Sequence, residues 1–248
     1  MLLERGHEVW GTSRDPRRLP AHPKFRPVVL DLTDPESVRT AFAEALAAAG
    51  GFDVVINNAG GGHFGPVETL SPELMQAQFQ TLVFGQLELC QLALAAMRTR
   101  GRGLIINVTS LAARLPVPFM GAYNAAKAAM ASLTMTLQLE LGSSEITVVD
   151  LQPGDIRTSF NDAISRADAD GTLYRERVRK AWHVVDQNMT AAPPPDLVAH
   201  RIAGVIESDR RPRRLTVGGA LQAIIAPAIF RVLPQSVRVW GLRKYYRL

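Results

Sequence analysis

A chain of 248 residues, 47% of them hydrophobic, has enough apolar side chain for one sizeable α/β core. Lys and Arg (28) outnumber Asp and Glu (23), but no basic run is interleaved with the aromatics that stack on bases, so nucleic-acid binding is not expected. A single cysteine, Cys90, excludes an internal disulfide, and no cluster of His, Cys and carboxylates has metal-ligand spacing, so no metal is expected.

Met1 to Arg5 reads as the end of a helix capped by Gly6. His7 to Thr12 and Phe25 to Leu30 read as strands, the second ending at Asp31. A helix follows from Pro35 to Ala49, with Asp34 as cap and Pro35 in its first turn. Val54 to Asn57 is a short buried strand, and Pro72 to about Met97 a long helix. Next come a strand at Leu104 to Val108, a helix at Ala122 to Leu141 and a strand at Ile146 to Gln152. Residues 160–190 are mixed and charged. A helix at Pro195 to Glu207 and a strand at Leu215 to Val217 close the pattern. Alternating strands and helices predict a doubly wound parallel sheet of Rossmann-like α/β type in one domain spanning 1–248. Residues 1–218 form its core and 219–248 a basic amphipathic tail. The start lacks a signal peptide's basic and apolar regions, and the apolar run near Ala220 to Leu233 is too short to span a bilayer. A soluble cytoplasmic protein is expected.

Three residues carry the chemistry. Tyr123 and Lys127 are four apart, so a helix puts them on one face, one turn from each other. A nearby ammonium stabilises a phenolate and is expected to lower the tyrosine pKa toward usefulness as a general acid/base. Ser110, just past a buried strand, can hold the substrate oxygen while Tyr123 exchanges the proton.

Ser110 and Tyr123-Asn-Ala-Ala-Lys127, together with Asn57-Asn58-Ala59-Gly60 and Pro153-Gly154-Asp155-Ile156-Arg157-Thr158, resemble the short-chain dehydrogenase/reductase family in order and spacing over nearly the whole chain. The resemblance implies reversible hydride transfer between a nicotinamide cofactor and a small-molecule alcohol or carbonyl, with Ser110, Tyr123 and Lys127 as the catalytic set. It gives Lys127 a second task on the nicotinamide ribose. Asn57, Ala59 and Gly60 then line the adenosine ribose, Asp31 and Leu32 meet the adenine, and Pro153, Gly154, Ile156 and Thr158 surround the nicotinamide. Arg14 stands at the strand tip where the family reads the ribose, and a basic residue there implies NADP(H) rather than NAD; a solvated loop arginine is the alternative. Family members pair through the helices at Pro72 to Met97 and Ala122 to Leu141, which implies a homodimer or homotetramer.

Two features depart from the family. The opening strand and the glycine-rich turn that cradles the pyrophosphate are absent, and Gly60-Gly61-Gly62 follows a later strand and does not replace them. Either the start lies upstream, or the chain is a degenerate, non-catalytic relative. In addition, Leu82 stands where an asparagine often supports a proton-relay water.

The apolar stretch Leu115, Pro116, Val117 and Phe119 suits a lipophilic ketone or alcohol, or serves only packing. His63 and Phe64 and the insert from Phe160 to Met189 are further candidates for the pocket, although His63 reads better as a loop residue than as a ligand. The tail is strongly basic, since residues 201–248 hold ten Lys and Arg against two Asp and Glu. It reads as a helix over the substrate pocket or a subunit interface; the alternative is a peripheral contact with an anionic membrane surface.

Overall fold

A computed structural model describes residues 1–168, 171–219, 223 and 225–248, so 220–222 and 224 of the tail and 169–170 of the insert lie outside the described residues. In chain order the elements are β1 (Val9–Ser13), β2 (Phe25–Val29), α1 (Pro35–Ala49), β3 (Val54–Asn57), β4 (Gly62–Phe64), α2 (Pro72–Phe79) and α3 (Gly85–Arg100). There follow β5 (Gly103–Val108), α4 (Gly121–Leu141), β6 (Ile146–Pro153), β7 (Ile164–Arg166), α5 (Arg175–Ala191), α6 (Asp196–Glu207), β8 (Arg214–Val217), α7 (Ala226–Val232) and α8 (Gln235–Tyr245).

Local chemistry sets the boundaries. Asp34 accepts a hydrogen bond from the Glu36 N–H at the start of α1, with Pro35 in the first turn, and Gly50 ends the helix at φ +70. Met1 to Gly6 forms hydrogen-bonded turns rather than the end of a helix. The expected long helix runs on to Arg100, but it widens into a π-helical turn at Gln80–Phe84, between α2 and α3. Inserted turns of this kind concentrate at functional sites.

The parallel sheet comes in two pieces. Strands β3, β5, β6 and β8 pair in the order β3-β5-β6-β8, all parallel, while β1 and β2 pair with each other only. Between the pieces lies a gap: Val9 to Thr12 of β1 and Val54 to Asn57 of β3 line the same cavity. Paired parallel strands sit about 4.8 Å apart, and among the described residues no ladder joins β1 to β3. This matches the expected absence of a central strand. Trp10 and Phe52 bridge the rim edge to face, at 6.0 Å between ring centroids.

The larger core lies under the four-stranded piece. On one face Ile105 and Val148 pack with Met97 and Met130 of the long helices. On the other, Leu104, Ile106 and Leu151 pack against α6. A short parallel clasp, β4 with β7, sits over the carboxyl ends of the strands and was not foreseen. Within the charged stretch 160–190 the chain forms a 17-residue helix, α5, with only Ala181 and Val184 buried.

Candidate active site

Strand β5 is buried at all six positions and delivers Ser110 just beyond its carboxyl end. There the Ser110 hydroxyl accepts a hydrogen bond from the Ala112 N–H at 3.0 Å, capping a tight turn. Helix α4 begins nearby with its small residues Ala122 and Ala126 buried, Ala126 against Leu82 and Val83. Tyr123 and Lys127, next along the helix, line the cavity together with Val108, Thr109 and Ser110. Lys127 is 3% exposed and donates to the Val108 carbonyl at 2.7 Å, with its ammonium 5.9 Å from the Tyr123 ring centroid. An ammonium has three N–H groups, and among the described residues the other two remain open to the cavity that Lys127 lines.

Burial governs the charges. Desolvation pushes Lys127 from 10.5 down to about 8, and Asp150 opposes it. Desolvation raises the Tyr123 phenol; the adjacent Ser110 side chain lowers it and Asp155 raises it further. The expected lowering of the phenol by Lys127 does not appear: the phenol is raised, because removal from water disfavours the charged form.

One cavity of about 1590 Å³ brings together Ser110, Tyr123, Lys127, Asn57, Ala59, Gly60, Pro153, Gly154, Ile156 and Thr158. Arg14, Asp31 and Leu32 do not line it. Arg14 is exposed at the tip of β1. Asp31 is engaged by the Thr33 N–H and hydroxyl, which together with the Arg14 charge hold its carboxyl below the usual range. Leu32 is buried in a small cluster with Val38 and Ala41. His63 is a buried strand residue whose Nδ1 lies 2.9 Å from the Ser165 hydroxyl across the β4–β7 clasp, and burial lowers its pKa. Among the described residues no three His, Cys, Asp or Glu side chains converge as a metal site requires.

A polar strap beneath the cavity escaped the sequence reading. The Asn57 amide donates to Asn107 Oδ1 at 2.8 Å, and the Asn107 amide donates to the Thr134 hydroxyl at 2.9 Å. The Gln86 amide donates to the Ala59 carbonyl at 2.8 Å. These bonds tie the turn after β3, the middle of β5 and the inner face of α4 to one another. An asparagine inside the apolar run Leu104-Ile-Ile-Asn-Val108 was the available signal, since a polar group buried there must find a partner. Asn124 was also missed. Its amide donates to the Val117 carbonyl at 2.8 Å and holds the apolar loop in which Phe119 adopts φ +64.

Leu82 sits in the π-helical turn, fully buried against Ala126 and Tyr123. The turn thus presents a hydrocarbon wall behind the phenol in place of a hydrogen-bonding amide. The far wall is apolar: Leu115, Val117, Met120, Phe160 and Ile164 line it, and Phe230, Leu242 and Tyr246 of the tail roof it. The tail therefore covers the pocket, as one of its two readings required.

Comparison with known proteins agrees with this geometry. The family pattern described as short chain dehydrogenase matches residues 3–169. A 3-ketodihydrosphingosine reductase from Bacteroides thetaiotaomicron is 32% identical over 250 residues, covering 100% of this chain and 92% of that protein. A short-chain dehydrogenase from Streptomyces avermitilis superposes with a TM-score of 0.80 at 27% identity, over 98% of this chain and 87% of that one. A metagenomic short-chain oxidoreductase solved in complex with NADP gives a TM-score of 0.69 at 25% identity, over 87% of each chain.

Proposed function

The chain belongs to the short-chain dehydrogenase family and is an oxidoreductase acting on CH–OH groups; from that premise we propose that it interconverts a secondary alcohol and a ketone on a lipophilic substrate, using NADP(H). The observation that carries the reading is the meeting of Ser110, Tyr123 and the buried Lys127 in one cavity that also has an apolar wall. The name of the Bacteroides relative, a reductase of a long-chain lipid ketone, supports a substrate of that class.

The donors fit the nicotinamide end of the cofactor. Lys127 offers two N–H groups for ribose hydroxyls, and Pro153, Gly154, Ile156 and Thr158 form the wall beside them. The Gly154 N–H donates to the Val217 carbonyl at 2.7 Å, which fixes that wall to β8. Where the pyrophosphate would lie, the described residues offer the walls of the gap rather than a glycine-rich turn. The cofactor, when bound, supplies or accepts the hydride. The protein's part is to polarise and protonate. Ser110 and Tyr123 hold the substrate oxygen, Tyr123 passes the proton, and Lys127 keeps positive charge beside the phenol as negative charge develops. Leu82 leaves the relay behind Lys127 to backbone and water.

Tyr123→Phe tests the assignment. NADPH consumption with medium-chain ketones is expected to fall by a factor of about a hundred or more, while cofactor binding persists. Undiminished turnover overturns it. The gap between β1 and β3 favours a second reading, a non-catalytic protein of the same fold, and failure of the unmodified chain to bind NADPH by fluorescence titration selects that reading. We further propose a cytoplasmic homodimer or homotetramer. Leu74, Phe84, Met135 and Leu139 expose apolar side chains on the two long helices, which supports it. Val232 and Trp240 on the basic tail support a peripheral membrane contact.

A further inference from the structure

Beside the cavity, but distinct from it, lies a polar pocket of about 510 Å³ walled by Arg114, Arg214, Arg231 and Arg238. Leu115 and Phe230 belong to both walls, so the two spaces share a partition. We propose that these four arginines bind the anionic, phosphate-type head group of an amphiphilic substrate whose apolar body lies in the cavity beside Tyr123. The inference rests on the lipophilic reading above and narrows it to a substrate class.

The charges make the case. Several arginines elsewhere on the surface have carboxylate partners: Arg5 with Glu207, Arg26 with Glu8, Arg39 with Glu88 and Arg100 with Asp53. In the pocket four guanidinium groups meet one buried carboxylate, Asp150, and that one is already occupied. It accepts from the Thr109 hydroxyl, the Gln152 amide and Arg214 Nε. Arg238 is spent in part on the Leu233 carbonyl, at 2.7 Å, and so ties α8 to the end of α7. The guanidinium groups of Arg114 and Arg231 have no hydrogen-bond partner among the described residues; burial first, and then the charges of Arg214 and Arg231, press the pKa of Arg114 downward, with Asp150 opposing. Like charges gathered from the turn after β5, from β8 and from the tail repel one another, and a bound anion reverses the sign of that interaction. Guanidinium forks match phosphate oxygens in geometry as well as charge. The apolar partition leads from there to the phenol. A substrate spanning both spaces therefore sets its hydrocarbon against Leu115 and Phe230 and its charge beyond them.

The test measures binding to the 248-residue protein by calorimetry, with octyl phosphate, octanol, octylammonium and inorganic phosphate as probes. Octyl phosphate is expected to bind roughly ten- to a hundredfold more tightly than octanol, octylammonium or inorganic phosphate. Added salt is expected to erode that preference, because the charges are reached by solvent. Arg114→Gln combined with Arg231→Gln is expected to abolish the preference and leave octanol affinity unchanged; Arg214 is kept because it holds Asp150. Equal affinity for octyl phosphate and octanol overturns the proposal, as does a preference that survives the double variant. So does inorganic phosphate binding as tightly as octyl phosphate, which marks a free-anion site. Arginine-dependent binding to phosphatidylglycerol vesicles without any octyl phosphate preference overturns it in favour of a membrane patch. If the double variant fails to fold, the probe comparison and its salt dependence in the unmodified protein decide. No turnover is read, so failure here is separable from failure of the Tyr123→Phe test.

Discussion

The two pieces of the sheet differ in how completely they are enclosed. Every residue of β5 is buried, and β6 keeps only its second and last positions partly open. Strands β1 and β2 have one buried residue between them, Phe25. The reacting groups hang from the closed piece, where neighbours on every side fix rotamers and strip water. The residues read as recognising the adenosine end, Arg14, Asp31 and Leu32, sit on the open piece and do not reach the cavity. Chemistry that needs a shifted pKa needs the closed environment, and a solvated adenine or phosphate contact does not.

The sharpest way to test that contrast is to remove the most buried charge. Lys127→Met is expected to lower turnover about a hundredfold or more, since the phenol loses its cation. The same change is expected to stabilise the fold. The Lys127 pKa is about 8 in the folded chain against 10.5 ordinarily, so its ammonium opposes folding at neutral pH. Between those values the unfolded chain holds the proton and the folded chain has released it. Stability therefore rises as pH climbs from about 8 toward 10.5, by up to about 3 kcal/mol. Denaturant titrations across that window are expected to show the rise in the unmodified protein and not in Lys127→Met. Turnover moves the opposite way, falling above about pH 8 as the ammonium is lost. No such window belongs to Asp31 on the open piece, whose carboxyl the Thr33 hydrogen bonds hold below the usual range.

Next in size is the polar strap. Asn107 is fully buried, donates to Thr134 and accepts from Asn57. Asn107→Leu leaves the Asn57 amide without its best acceptor and is expected to cost about 2–4 kcal/mol. Its second effect is on geometry, because the turn carrying Ala59 and Gly60 loses an anchor. A KM rise for NADPH larger than the change in kcat separates positioning from simple loss of stability. Cys90 shares the strap, and burial pushes its thiol up to about 11, so reaction with iodoacetamide is expected only when the strap opens.

The closed piece was also the legible one. Val54 to Asn57, Leu104 to Val108 and Ile146 to Gln152 read as apolar runs because both faces of a parallel sheet are covered, and each lies within the strand the structure shows; α1 carried its cap in Asp34-Pro35. The catalytic spacing was legible because four residues make one helical turn, whatever surrounds them. Helix α5 was not, because its exposed face is charged and only Ala181 and Val184 are buried. The β4–β7 clasp pairs Gly62 with Ile164, two three-residue strands joined by contacts remote in sequence. The direction of the Tyr123 shift is set first by burial, which spacing does not report. The arginine pocket draws on positions 114, 214, 231 and 238, so only the fold reveals it.

Two glycines bring the contrast to its smallest scale. A Cβ at Gly103 would lie 2.2 Å from Met97 Sδ and 2.9 Å from its Cβ, and one at Gly11 would lie 2.3 Å from Phe25 Cζ. The nominal clashes are nearly equal, but the relief differs. Met97 is 1% exposed and held in the main cluster, and its Cβ is fixed by the helix, so the strand or α3 must yield. Gly103→Ala is therefore expected to cost about 1–3 kcal/mol. Phe25 meets the new methyl with the far end of its ring, beside the gap that Gly11 and Phe25 both line. The ring can swing into that space, and Gly11→Ala also gains from a stiffer unfolded chain, so its net cost is expected to stay below about 1 kcal/mol. Equal losses in paired denaturant titrations would mean that the gap is filled and that β1 is held as rigidly as β5.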